Sequence, residues 1–249
     1  MSETSPATWL SDRALVRVTG AEARPFLQGL LTQDVLTLAP ELPRWAGLLT
    51  PQGKALFDFL LWADGDAVLL DVEAEQADAL VRRLTLYRLR RAVTIERIGG
   101  GVHWALAASD RPHDPRLAAL GHRWLGDASG PTAEAAWRAH RLAHGVTEGA
   151  AELGQDRVLW LECNARELNG VSFIKGCYIG QENTARMHHR AKVSRRLIVA
   201  PVAEAGPRTL ARYPDLGWMI EHRRVDALGE ALRLDWLRAA LAEDEAVPA

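Results

Sequence analysis

"RWAGLLTPQGKALFDFLLWADGDAVLLDV", residues Arg44 to Val72, decides the fold. Three apolar runs, "RWAGLLT", "ALFDFLLW" and "AVLLDV", are separated by the turns "PQGK" and "ADGD". Runs of this length, rich in branched and aromatic residues and bounded by glycine turns, read as strands joined by tight hairpins. The centre of the chain is therefore expected to be an antiparallel sheet. Asp58 is an acid inside the second run. If its face is buried the carboxylate needs a partner and marks a site; if the strand alternates, it points outward with Leu56 and Leu60.

On the N-terminal side, "ALVRV" (Ala14 to Val18) alternates like a strand. "TGAE" then offers a capping box from Thr19 to Glu22 before the periodic residues Phe26, Leu27, Leu30 and Leu31, with Pro25 tolerated in the first turn. On the other side an amphipathic helix is expected over Glu73 to Arg90, with Leu80, Leu84 and either Tyr87 or Leu86 inward. "VTIERI" and "GVHWALAAS" read as a second hairpin about Gly99 to Gly101. Strands and helices in this order, joined by hairpins, indicate an α+β fold.

Three modules follow from this pass: 1–110, 111–196 and a short β-rich 197–249. "SDRPHDPRLAALGHRWLGDASGPT" is the expected connecting segment, rich in Pro, Gly and Asp. "TAEAAWRAHRLAHG" is a helix with Thr132 as N-cap and Gly145 as its stop. "RLIVAPV", "LGWMIEH" and "ALGEALRLDWL" form the β-rich end, and the tail "AEDEAVPA" reads as disordered.

A chain of 249 residues with 48% hydrophobic content can bury a substantial core. Its net charge of −2 argues against a dedicated nucleic-acid binder, whose affinity comes from neutralising phosphates. No run is long enough to span a membrane, and "MSETSPATWLSDRALVRV" lacks the pattern of a signal peptide, so a cytoplasmic location is expected. Lys54, Lys175 and Lys192 are the only lysines; the abundant arginine reads as compositional background.

"FIKGCYIGQENTARMHHR" (Phe173 to Arg190) holds one of the two cysteines. It reads as the strand "VSFI", a glycine-flanked turn and a helix starting near Gln181. Lys175 and the helix start would favour a thiolate at Cys177; a free cysteine is also often just buried. Cys163, in "LWLECNA", has the pattern of a core residue. Cys163, Cys177, His188 and His189 match no zinc spacing, so no metal site is expected. The run "ARMHHRAKVSRR" is either a solvated face or a patch for an anion, with Arg186 one turn after Glu182 and able to pair with it or a ligand.

"KGCYIGQE" (Lys175 to Glu182) resembles the signature of the folate-binding YgfZ family. "RVTGAEARPFLQGLLTQDV", "LLTPQGKALFDFLLW" and "GQENTARMHHRAKVSRRL" extend the likeness to about Arg196. The resemblance implies the fold of the glycine-cleavage T-protein: antiparallel-sheet and helix modules around a central folate cleft, ending in a small β-barrel-like module. It implies a folate-binding accessory role in maturing four-iron–four-sulfur proteins, including tRNA-modifying enzymes. Tetrahydrofolate or a derivative is then the cofactor, a transiently held cluster a second cargo, and iron–sulfur client or assembly proteins the partners. It makes Cys177 a functional thiol, with Lys175, Tyr178, Gln181, Glu182 and Arg186 around the cofactor. The T-protein carries two adjacent aspartates where this chain has Phe57 and Asp58, which weakens the alternative of a one-carbon transferase with Asp58 as its catalytic acid. Direct tRNA binding through Arg186 to Arg196 is a further alternative.

Overall fold

The computed structural model describes residues 6–108, 110–190 and 192–246. In chain order the elements are β1 (Trp9–Leu10), β2 (Arg13–Thr19), α1 (Ala23–Gln28), β3 (Arg44–Leu49), β4 (Ala55–Asp64), β5 (Ala67–Glu73), α2 (Ala77–Arg88), β6 (Thr94–Ile98), β7 (Gly101–Ala105), β8 (His122–Gly126), α3 (Glu134–Ala143), α4 (Gly149–Leu153), α5 (Gln181–Arg190), β9 (Arg195–Pro201), β10 (Thr209–Tyr213), β11 (Trp218–Arg224) and α6 (Asp235–Ala246).

The two hairpins form as expected and lie in an antiparallel sheet ordered β3-β4-β5-β2-β6. Both faces of this sheet are covered. Phe57, Phe59 and Leu61 of β4 join Phe26 and Leu27 of α1 and Leu80 and Leu84 of α2 in one core. Leu60 and Trp62 join Trp45, Trp104, Trp137 and Trp160 in the other. The period of two thus sorts β4 between two cores rather than between core and solvent. Asp58, two residues from Leu60, is carried into the tryptophan-rich side and is 6% exposed.

Several expectations are corrected. Thr19 ends β2 and caps nothing: Glu22 precedes α1 with no side-chain cap, its carboxylate accepting instead from the Ala92 N–H at 2.8 Å. Of the two inward candidates on α2, Leu86 is exposed and Tyr87 packs. "VTIERI" and "GVHWALAAS" do not pair. β6 adds to β2, while β7 lies between β1 and β8 in a separate three-stranded sheet. The reason is packing, since Val93 and Ile95 serve one core and Val102 and Trp104 the other. The connecting segment is structured for the same reason, contributing β8 and the buried Leu120, Asp114, Arg116 and Arg123. Ala133, not Thr132, precedes α3. "VSFI" forms no strand, and "LWLECNA" holds a 3-10 turn over Trp160–Cys163.

Beyond Arg195 an open antiparallel sheet ordered β10-β11-β9 stands where the resemblance implies a barrel, backed by α6 through Leu237 and Ala240. α6 reaches Ala246, so the first part of the tail read as disordered is helical; residues 247–249 lie outside the described residues.

Candidate functional site

Cys177 is exposed, whereas Cys163 is completely buried and its thiol lies 3.8 Å from the Leu153 carbonyl oxygen. Burial pushes the Cys163 thiol well above its ordinary range, with Glu162 and Asp58 adding to the shift. The two cysteines thus separate into one packed and one presented thiol. Cys177 borders an open groove of about 600 Å³ with Pro51, Tyr87, Tyr178, Ile179, Gly180, Gln181, Glu182 and Ala185.

The "PQGK" hairpin turn positions this loop. Gly180 (φ +83°) lies so close to it that a Cβ there would sit 2.5 Å from the Thr50 carbonyl oxygen and 3.0 Å from the Gly53 Cα. Only glycine permits both the backbone conformation and the approach. The Asn183 amide donates to the Gln52 carbonyl at 2.7 Å, tying the first turn of α5 to the same hairpin. Gln181 donates to the Gly176 carbonyl at 3.2 Å, closing the loop across Cys177. Tyr178 is buried, and burial raises its phenol to about 12, with a hydrogen bond to Thr184 opposing the shift.

Lys175 is not directed solely at the thiol. Its ammonium donates to the carbonyl oxygens of Gln28 and, at 2.7 Å, Leu31, where α1 ends, and lies 4.7 Å from the centre of the Tyr178 ring. It acts as a cationic cap on orphan carbonyls. Burial lowers it to about 8, with Asp34 and Cys177 opposing. A lysine lowered on folding is penalised where it must be charged. From about 8 up to its ordinary value of 10.5 the unfolded chain binds more protons, so stability rises with pH in that window. The stability of wild type relative to Lys175→Met, read from urea midpoints, should therefore increase from pH 8 to pH 10. A constant difference would mean that the carbonyl contacts offset desolvation completely.

Asp58 sits apart from this groove. Its carboxylate accepts from Trp45 Nε1 at 3.2 Å and the Gly149 N–H at 3.1 Å. Burial raises its pKa; Arg13 opposes this and Glu148 adds to it. Around it runs a buried ion network that the sequence reading missed. Arg13 and Arg123 both bind Asp71, at 2.6 and 3.0 Å, and Arg116 binds Asp114 and Glu148 at 2.7 Å each. Arg141 binds Glu152 at 2.7 Å, and Trp137 Nε1 donates to Glu148 at 3.0 Å. One signal was available: Asp71, like Asp58, is an acid within an apolar strand run.

The surroundings of Asp58 and the Cys177 groove differ in the room they offer a folate. Two spaces bordered by Asp58 are about 10 Å³ each, room for a water at most. The Cys177 groove is roomy, and the charged side chain among its described lining residues is the Glu182 carboxylate. No step below is routed through folate. Among the described residues no three His, Cys, Asp or Glu side chains stand close enough to share a metal ion.

Cys177, Tyr178, Gln181 and Glu182 are thus brought together, Lys175 ties their loop to the end of α1, and Asp58 is elsewhere. Arg186 is exposed and, among the described residues, forms no ion pair with Glu182. The basic run is also smaller than the sequence suggests. Arg196 is completely buried and binds Asn164 and Glu167 at 3.0 Å each, and His188 stacks on Phe173 at 3.6 Å. Pro51, Tyr87 and Ala185 were not foreseen as groove residues.

No family model matches the chain. The human protein named iron-sulfur cluster assembly factor IBA57, mitochondrial, is 36% identical over 237 residues, covering 78% of this chain and 67% of that protein. The mouse protein of the same name is 33% identical, covering 80% and 66%. The Pyricularia oryzae homologue is 30% identical, covering 78% and 57%, so the chain spans roughly two thirds or less of these relatives. Their names place them in mitochondria, where the sequence reading expects a cytoplasmic chain. No helix among the described residues is long and apolar enough to cross a membrane. The crystal structure of glycine cleavage system aminomethyltransferase T from Bartonella henselae matches with a TM-score of 0.64 at 14% identity, covering 88% of this chain and 78% of that one, which shows the expected fold. With its α+β fold and 36% identity over 67% of the human protein, this chain belongs to the family of the IBA57 iron–sulfur cluster assembly factors.

Proposed function

We propose that this protein is an iron–sulfur cluster assembly factor that works through the Cys177 thiol, presented to a client or assembly protein at the mouth of an open groove. The observation that carries the reading is the division of labour between the cysteines: Cys163 is sealed in the core, and Cys177 is exposed on a loop seated by Gly180 against the Thr50–Gly53 turn. An exposed thiol can engage a partner's cysteine or a cluster in transit, which a buried one cannot. Enzymes that modify tRNA and carry iron–sulfur clusters belong to this proposal as one class of client.

The one-carbon transferase reading lacks support of the same kind. A catalytic carboxylate must reach a substrate, and Asp58 is enclosed between Trp45 and Gly149. Direct tRNA binding is weakened by the loss of Arg196 from the basic face.

The test is complementation of a strain lacking the protein. Cys177→Ser should fold with a wild-type urea midpoint yet restore no more four-iron–four-sulfur enzyme activity than an empty vector, while Cys163→Ser, if it folds, should complement. Full complementation by Cys177→Ser would overturn the thiol mechanism.

A further inference from the structure

The end of α2 borders the Cys177 groove through Tyr87, and nothing described so far accounts for its surface. Leu86 and Leu89 are 70% and 84% exposed there, and Ile174, three residues before Cys177, is 96% exposed. Leu86 and Leu89 flank the groove-lining Tyr87, and Ile174 stands on the loop that carries Cys177, so three large exposed aliphatic side chains lie on the segments that supply the groove. Arg83 and Arg90 flank the leucines, and Arg88 stands between them, donating to the Val93 carbonyl at 3.4 Å. Arg83, Arg88 and Arg90 are exposed and, among the described residues, none has a carboxylate within ion-pair distance. In a chain of net charge −2 this is a local excess of positive charge.

We infer that the end of α2 and the Cys177 groove form one docking surface for an acidic protein segment, whose apolar side chain enters the groove while its carboxylates meet the α2 arginines. The inference rests on the proposed role of Cys177 and adds the chemistry of the partner. A protein fits better than a nucleic acid. Exposed Leu86, Leu89 and Ile174 gain nothing from a phosphate backbone, whereas arginines beside the groove-lining Tyr87 are of the types enriched at protein interfaces. Glu182, the one carboxylate lining the groove, gives the orientation, since an acidic segment must place its charges toward α2 and away from α5.

The experiment couples the two halves of the surface. An acidic peptide carrying leucines and one cysteine, activated as its mixed disulfide with thionitrobenzoate, is offered to the whole protein. The Cys177 thiolate attacks the peptide sulfur, a peptide–Cys177 disulfide forms, and thionitrobenzoate leaves and is read by its absorbance. Buried Cys163 stays silent, which Cys177→Ser verifies. At low salt the acidic peptide should react about tenfold faster than its lysine counterpart, an advantage that high salt removes. Arg83→Glu combined with Arg90→Glu should reverse the preference, and Leu89→Asp should slow the acidic peptide alone. Equal rates for the two peptides, or a preference that survives the double charge reversal, would overturn the inference. Polyglutamate of matched charge should suppress the acidic peptide's advantage at least as well as polyuridylate; suppression by polyuridylate alone would overturn the inference and assign the surface to RNA. Because the assay reads exchange and not cluster assembly, its failure leaves the complementation result for Cys177→Ser standing, and the reverse also holds.

Discussion

Glu148→Gln should lose about 3 to 5 kcal/mol of stability, the usual cost of removing one partner from a buried ion pair. Glu148 receives Arg116 at 2.7 Å and Arg123 at 3.2 Å, with Arg13 at 3.6 Å and Arg141 at 4.0 Å. Burial alone would push this carboxyl up, but the guanidinium groups of Arg116, Arg13, Arg123 and Arg141 outweigh it and hold the carboxylate well below its usual range. Glutamine keeps the shape, but with its oxygen accepting from Trp137 its NH2 faces the Arg116 and Arg123 donors, so the variant removes the charge and one acceptor together. Without the Glu148 charge, the four buried arginines are left with Asp71, Asp114 and Glu152 as their carboxylate partners. A domain is stable by only about 5 to 15 kcal/mol, so the variant should melt far below wild type or fail to fold. The pH dependence has a definite sign. A carboxylate depressed on folding stabilises above its unfolded pKa, and the gain is lost as pH falls through the folded value. Wild type and variant should therefore differ fully at neutral pH and converge only in strong acid. Unfolding free energies from urea curves within about 1 kcal/mol of each other at pH 7 would mean that the network contributes shape rather than charge.

The sheet was legible because its signals are local: two glycine turns, three apolar runs and a helix whose Leu80 and Leu84 fall one turn apart. What failed was partnership over distance. Nothing near β6 tells it to pair with β2 rather than β7, because the choice is made by which core each strand serves. The ion network failed for the same reason. Arg13, Arg116, Arg123 and Arg141 looked like compositional background until folding brought residues from Arg13 to Glu152 together. The Cys177 loop was legible as a motif with a glycine-flanked turn, but the seat of Gly180 on the Thr50–Gly53 turn, distant in sequence, was not. The role given to Lys175 was incomplete, since the carbonyls it caps lie on α1, far away in sequence. Asp58 was read correctly as an acid that would need partners if buried, and its partners, Trp45 and Gly149, belong to the core and not to the groove.

Gly180→Ala should be the most damaging single change in the loop, and comparison with Gly176→Ala shows why. Both glycines have positive φ, +92° at 176 and +83° at 180. A Cβ at 176 would meet nothing within 4 Å, so alanine there carries backbone strain alone, about 1 to 2 kcal/mol. At 180 the same strain is joined by contact with the Thr50 carbonyl oxygen at 2.5 Å, a backbone atom that cannot swing aside, and with Leu49 Cβ at 3.0 Å. Leu49 is completely buried at the end of β3, so the hairpin is held and the loop must lift. The expected result is a loss of more than about 2 kcal/mol, well beyond that at Gly176. Lifting the loop also breaks the Asn183 to Gln52 bond and unseats the start of α5, so amide exchange across residues 178–184 should accelerate while β4 and β5 stay protected. Complementation should fall with it, although the thiol itself is unchanged, because Cys177 no longer stands at the groove. Equal losses at Gly176 and Gly180, with exchange unaltered, would mean that the turn from Thr50 to Gly53 does not seat the loop.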